Sequence, residues 1–317
     1  MNILLWHLHG SWTTAFVQGK HRYLVPVDAD RGPYGRGRAR TFEWPDTVVE
    51  RTAAELARED VDLLIVQRPE EVGLARRWLG RRPPTIYVEH NTPKGDVPAT
   101  RHPMADRDDL TIVHVTHFND LFWDCGGTNT TVIEHGIVEP AARYTGELSR
   151  LAVVTNEPVR RWRVTGTDLM PRFAAVAPLD VYGMGLAGLG DRLGLGPDWL
   201  RGYDDPPQAV MHAEVARRRA YVHLCRWTSL GLSLVEAMTM GMPVLALAVT
   251  EAVAAVPPDA GVLATRVDTL VDAARWLIED PDAARRLGAR ARTVALDRYG
   301  LSRFLAQWDD LLIRSSH

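Results

Sequence analysis

Several things are scarce in this chain. It has two cysteines, Cys125 and Cys225, far apart, which leaves no disulfide framework and no cysteine zinc or redox motif, as in a reducing compartment. Lysine is nearly missing: Lys20 and Lys94 are the only two, so arginine carries almost all the positive charge. That bias reads either as GC-rich coding or as phosphate recognition through guanidinium forks. No run approaches the ~20 apolar residues of a membrane span. The opening MNILLWHLHG lacks a basic n-region, so no secretory leader and a cytoplasmic location are expected. The first strand candidate leads into HLHGSWTT rather than G-x-G-x-x-G, which argues against an NAD site. A Walker loop and a G-x-S-x-G elbow are missing too. A net charge of −3 gives no global attraction to nucleic acid.

What is present is an alternation of short apolar runs and longer helical patterns. A length of 317 residues suits two domains of about 150 each. Strands are expected at 2–8, 61–67, 85–90, 111–116 and 130–136, then again at 151–156, 178–185, 220–225 and 243–249. Helices are expected over 46–60, with Asp46 as N-cap, from Pro69 to Gly80, and near 233–240, 265–279 and 281–298. Continuous apolar strands joined through helices indicate parallel sheets covered on both faces. The fold class is therefore α/β, with two doubly wound, Rossmann-like domains. The polar stretch 139–150 marks the link, giving domains at 1–145 and 146–296. An amphipathic helix follows over 297–312, packed either on its own domain or back on the first.

Ligands of such sheets sit beyond the carboxyl ends of the strands, here in a cleft between the domains. That rule nominates His9 and Gly10, Gln67 and Arg68, Glu89 with His90 and Asn91, Thr116 and His117, and Glu134 with His135 and Gly136 on one wall. Asn156 and Glu157, 183–185, 226–231, and Thr250 with Glu251 form the other. In WTSLGLSLVEAMTMGMPV (227–244), Gly231 precedes a helix whose first amides suit an anion such as a pyrophosphate. Ser233 and Glu236 have capping-box spacing, so Glu236 either caps the helix or holds a ligand, or does both. His90 reads either as a contact near the reacting carbon or as a hydrogen-bonded loop histidine. The pairs His7/His9 and His114/His117 lack a further ligand at metal spacing, so no metal is expected. RGPYGRGRAR (31–40) is a Gly/Arg loop, either merely solvated or in contact with an anion or acceptor.

SLGLSLVEAMTMGMPVLAL resembles the nucleotide-sugar half of glycosyltransferase family 4, which reads roughly E-G-F-G-L-x-x-L-E-A-M-A-x-G-x-P-V. Gly231, Leu232, Glu236, Ala237, Met238, Gly241, Pro243 and Val244 match. TTVIEHGIVEP, IYVEHNTP and RRWRVTGTDLM resemble further family segments in the right order. The resemblance implies a GT-B fold and retaining transfer from a nucleoside diphosphate sugar to a small-molecule or glycan hydroxyl, without metal or other cofactor. It implies an acceptor-binding first domain and a donor-binding second, with the last helix (297–317) returning to the first. Gly10, Arg160, Arg163, Gly231, Leu232, Ser233 and Glu236 would bind the donor, with Glu236 on the ribose. His90 and Arg160 would be catalytic, and Glu89, Asn91, His135 and Thr228 would touch sugar or acceptor. Two positions depart from the family: Thr228 stands where a donor-sugar carboxylate is usual, and Thr165 stands where the phosphate lysine is usual. Two alternatives stay open: a non-catalytic nucleotide-sugar binder or scaffold, whose lost carboxylate at Thr228 records lost activity, and another GT-B chemistry such as sugar-nucleotide epimerisation.

Overall fold

The computed structural model describes residues 1–316, which form two compact units. Unit 1 comprises Met1–Val138 and the C-terminal stretch from Leu301, and unit 2 comprises Glu139–Gly300. Unit 1 runs β1 (Asn2–Leu5), α1 (Gly10–Phe16), β2 (Arg22–Pro26), β3 (Val48–Arg51), α2 (Ala53–Leu56), β4 (Leu63–Val66), α3 (Pro69–Leu79), β5 (Thr85–Glu89), β6 (Leu110–His114), α4 (His117–Phe122) and β7 (Asn129–Val132). Its seven strands are all parallel, in the order β3-β2-β1-β4-β5-β6-β7. The central strands NILL and LLIV are almost wholly buried, as continuous apolar runs must be when helices cover both faces.

All nine expected strands are found, but shortened at their carboxyl ends, where polar residues such as His7, His90 and His135 leave the ladder. The helix expected from Asp46 is overturned. Val48 to Arg51 instead pair with β2 as an edge strand, which suits the β-branched Val48 and Val49. Only Ala53–Leu56 remains helical. Its cap is Thr52, whose amide donates to the Glu55 carboxylate at 2.7 Å while its own Oγ1 accepts the Glu55 amide.

Unit 2 runs β8 (Leu148–Val154), α5 (Pro158–Arg161), a 3-10 turn (Thr167–Leu169), α6 (Met170–Ala174), β9 (Leu179–Gly183), α7 (Leu189–Leu193), β10 (Leu200–Asp204), α8 (Gln208–Val215), β11 (Arg218–His223), α9 (Leu232–Met240), β12 (Val244–Leu247), α10 (Ala252–Ala255), β13 (Gly261–Ala264), α11 (Val267–Glu279) and α12 (Pro281–Tyr299). The six strands are parallel, in the order β10-β9-β8-β11-β12-β13. The unit starts at Glu139 rather than residue 146, because Tyr144 and Thr145 donate their amides to Met240 (3.0 Å) and Ala216 (2.9 Å). It ends at Gly300 rather than 296 because α12 is unbroken to Tyr299. Gly288 lets α12 close on the Gly241 carbonyl at the end of α9, where any Cβ would collide.

After Gly300 the chain forms α13 (Leu301–Ser315), which packs within unit 1. Trp308 meets Phe16 edge-on at 5.0 Å and Trp12 at 5.8 Å between ring centroids. Asp309 binds Lys20 (2.8 Å) and His21 (2.9 Å). Gly136 carries no side chain because Phe304 fills that space. Among the described residues no helix is long and apolar enough to cross a membrane.

Candidate functional site

In unit 2, β11 ends at His223 and the chain re-enters a helix at Leu232 with Gly231 as N-cap. A Cβ on Gly231 would lie 2.9 Å from Nε2 of His223, so glycine alone lets this turn rest on that imidazole. Burial lowers the His223 pKa to about 4 and keeps the ring neutral. Gly231, Leu232 and Ser233 stay partly exposed while 234–240 are buried. The first turn of α9 therefore opens to solvent at the carboxyl edge of the sheet, with amides that have no acceptor inside the helix.

The capping-box spacing misleads. With Gly231 as N-cap, the third helical residue is Leu234, and no side chain caps the helix. Ser233 instead accepts a hydrogen bond from the Tyr221 hydroxyl at 2.9 Å, tying α9 to β11. Glu236, only 5% exposed, turns toward α8. Its Oε1 accepts from Gln208 Nε2 at 3.2 Å and its Oε2 from His212 Nε2 at 3.1 Å. A buried carboxylate gripped by donors from α8 has its orientation fixed before any ligand arrives.

The arginines lie earlier in unit 2, after β8. Arg160 on α5 donates Nε to Glu157 at 2.8 Å, and Arg163 reaches Asp168 at 3.2 Å. Their side chains are 73% and 72% exposed, so a phosphate can replace either carboxylate at small cost. Asp168 is gripped chiefly by Arg226, at 2.6 and 2.8 Å, which lowers its pKa. Trp162, between the two arginines, closes α5 with a φ of 32°, a strained value for a side-chain-bearing residue, and the Arg192 guanidinium lies 4.9 Å from its ring. Thr165 is buried, with its hydroxyl 2.8 Å from that of Thr167 and donating to the Trp162 carbonyl at 3.1 Å. Thr228 lies half-buried in the loop between β11 and α9.

Unit 1 brings three histidines together from three strand ends. His9 N-caps α1, and His90 and His135 follow β5 and β7. The His9 and His90 rings are 4.0 Å apart at 30°, and His90 and His135 are 6.4 Å apart at 26°. Trp12 stands edge-on to His90 at 5.0 Å. Burial lowers the pKa of His9 to about 4 and of His135 to about 3, and His90 falls well below its ordinary value, so the stack is neutral at pH 7. Nε2 of His90 and both ring nitrogens of His135 are enclosed without a hydrogen-bond partner among the described residues. Neutral imidazoles offer one donor and one acceptor each, which suits a polyol.

The neighbours of His90 serve the loop. Glu89 is buried and accepts from the Asn91 amide (2.6 Å) and from His102 (2.9 Å). Asn91 is exposed, and its carbonyl accepts from Trp123 at 2.8 Å. Gly10 opens α1, where a Cβ would lie 2.7 Å from the Phe42 ring. Among the described residues no group of three or more His, Cys, Asp or Glu is placed to hold a metal ion.

Residues 205–294 match the group 1 glycosyl transferases. The match takes in Gln208, His212, Thr228 and the whole turn from Gly231 to Glu236, but not Arg160, Arg163 or unit 1. The fold is that of the GT-B glycosyltransferases. Sucrose-phosphate synthase from Thermosynechococcus elongatus is similar with a TM-score of 0.77 at 14% identity, covering 99% of this chain and 98% of that one. HepE of Anabaena in complex with UDP-glucose gives 0.71 at 16%, covering 99% and 100%. A glycosyltransferase from Rickettsia africae gives 0.67 at 11%, covering 99% and 98%. No curated protein matches the sequence.

Within the segment matched to the group 1 glycosyl transferases, sequence reasoning overlooked Gln208 and His212. Their signal was present: two polar residues four apart on α8 stand on one helix face and meet the same carboxylate. His9 was placed at the right strand end but weighed only as a metal partner of His7, because its packing against His90 depends on the sheet order, in which β4 alone separates β1 from β5.

Proposed function

We propose that the protein is a glycosyltransferase that moves a sugar from a nucleoside diphosphate sugar to a hydroxyl acceptor, with retention at the anomeric carbon and without a metal ion. The observation that carries this reading is Glu236: a buried, doubly anchored carboxylate one turn inside the open start of α9, in the segment matched to group 1 glycosyl transferases. Glu236 accepts from the ribose hydroxyls. The amides of Gly231, Leu232 and Ser233, with Arg160 and Arg163, stabilise the charge that grows on the departing diphosphate. In the transfer, the bond from the anomeric carbon to the phosphate oxygen breaks while the acceptor oxygen bonds to the same face of that carbon. The acceptor proton passes to the departing phosphate oxygen, so no protein base is required. Unit 1 addresses hydroxyls through the neutral imidazoles of His90 and His135. The HepE complex with UDP-glucose makes UDP the first nucleotide to try.

Calorimetric titration with UDP, GDP, ADP and TDP tests the donor site, with Glu236→Ala and Arg160→Ala in parallel. One nucleotide binding in the wild type and weakened in both variants supports the reading; no binding by any of the four removes it. A second reading, a nucleotide-sugar binder without turnover, draws on Thr228 and on the pairing of Arg160 with Glu157. It predicts a donor that binds but is never consumed. Epimerisation predicts a product formed with no acceptor present.

A further inference from the structure

A second polar site in unit 1 lies beside the histidine stack in sequence but is separate from it in chemistry. A cavity of about 460 Å³, within the usual size of a small-molecule site, is lined by His7, Asp30, Arg31, Arg36, Arg38 and Arg40. His7 lies just past the end of β1, two residues before His9, and the arginines lie in the loop after β2, the neighbouring strand. The cavity therefore belongs to the ligand-binding carboxyl edge of the sheet.

Its arginines fall into two pairs. Arg31 and Arg38 are tied into the fold. Arg31 binds Glu50 (2.9 Å), while Arg38 donates to the carbonyls of Trp44 (2.7 Å), Pro45 (3.0 Å) and Val48. Arg36 and Arg40 are exposed, and their guanidinium groups make no hydrogen bond or ion pair among the described residues. His7 is held in place by the Gly37 carbonyl at 3.2 Å and by edge contact with Trp44 at 4.8 Å. The floor is thus built, and two planar forks above it are free.

We propose that this cavity binds a phosphomonoester carried by the acceptor. Arg31 is answered by Glu50 and lies near Asp28, and Arg38 is spent on backbone carbonyls, so Arg36 and Arg40 are the two cations left for a ligand. A phosphomonoester at pH 7 carries about −1.5 to −2, and its oxygens fit two guanidinium forks. A single carboxylate would leave one fork unmatched. This assignment deepens, and rests on, the reading of unit 1 as the acceptor side.

The test is calorimetry with UDP present at saturation, so that the donor site is filled. Glucose 6-phosphate, inorganic phosphate and glucose are titrated into the wild type and into the double variant Arg36→Ala/Arg40→Ala. Both phosphates are expected to bind the wild type and glucose far more weakly, and the variant is expected to lose at least tenfold in phosphate affinity with an unchanged Kd for UDP. Phosphate that binds the variant equally well, or binds neither protein while UDP still binds, overturns the cavity assignment and leaves the glycosyl-transfer reading standing. Failure of UDP to bind removes that reading instead, and the cavity is then judged on the variant alone. Vesicles of phosphatidic acid in phosphatidylcholine separate the two sources of such a group. Sedimentation of the wild type but not the variant assigns a lipid phosphomonoester, and binding of glucose 6-phosphate without sedimentation assigns a soluble one.

Discussion

At the scale of single residues, the chemistry of unit 2 turns on one carboxylate and its two anchors. Glu236→Ala removes the acceptor for the ribose hydroxyls, and a charged hydrogen bond is worth about 1.5–3 kcal/mol, so nucleotide affinity should fall at least about tenfold. His212→Ala keeps the carboxylate but removes the imidazole donor to Oε2. A several-fold loss is expected by calorimetry, with His212→Gln restoring most of it. Unchanged affinity in His212→Ala would reduce that histidine to packing. Thr228→Glu restores the residue usual in the resembling family, yet a donor that does not use this carboxylate gains nothing from it. Turnover of UDP-glucose is therefore expected not to rise, and a tenfold gain would show that the site had merely lost its carboxylate. Glu236 was legible from spacing and resemblance. Its partners were not, because a hydrogen bond between α8 and α9 has no signature in either helix alone.

At the scale of elements, the start of α9 depends on glycine because a buried imidazole lies beneath it. Gly231→Ala should push the first turn off His223, with a stability loss of about 1–3 kcal/mol. Nucleotide affinity should fall as well, although no side chain that touches a ligand has changed. Thermal unfolding and calorimetry measure the two losses, and His223→Ala in the same chain should recover part of the affinity by clearing the space. An affinity equal to wild type in Gly231→Ala would mean that the helix start does not position the diphosphate. The inner strands were legible because burial on both faces imposes unbroken apolar runs, as in LLIV and VLAL. The strands overlooked were β2 and β3 in unit 1 and the edge strands β10 and β13 in unit 2. Edge strands are half-solvated, so VVER and LRGYD carry polar residues that read as helix or loop until pairing with a neighbour decides. The capping-box reading failed for a similar reason: the pattern was correct, but the helix begins too early for it.

At the scale of the whole molecule, neutral buried histidines are divided unevenly. His9, His90, His114 and His135 lie in unit 1, while His223 lies in unit 2. Burial lowers their pKa values, to about 4 for His9, His114 and His223 and about 3 for His135. Below pH about 6.5 the unfolded chain takes up protons that the folded chain refuses. Stability is therefore full above that pH and falls as acid is added, until the folded pKa is reached, by up to about 1.4 kcal/mol per pH unit for each histidine. Paired carboxylates such as Glu59, lowered to about 2 chiefly by its hydrogen bond from Arg22, lose their contribution only below about pH 4.5. From pH 6.5 to 5 the histidines therefore act without these paired carboxylates, opposed among the described residues of unit 1 only by buried Glu71, whose pKa burial raises. Scanning calorimetry across it should show the unit 1 transition falling farther than that of unit 2, with the unit 2 transition identified as the one that saturating nucleotide raises. His135→Phe should flatten the pH slope of unit 1 by close to one proton and leave unit 2 unchanged. Equal slopes for the two transitions, or an unchanged slope in His135→Phe, would mean that these rings take up protons while folded, and the neutral stack assigned to hydroxyl recognition would go with it.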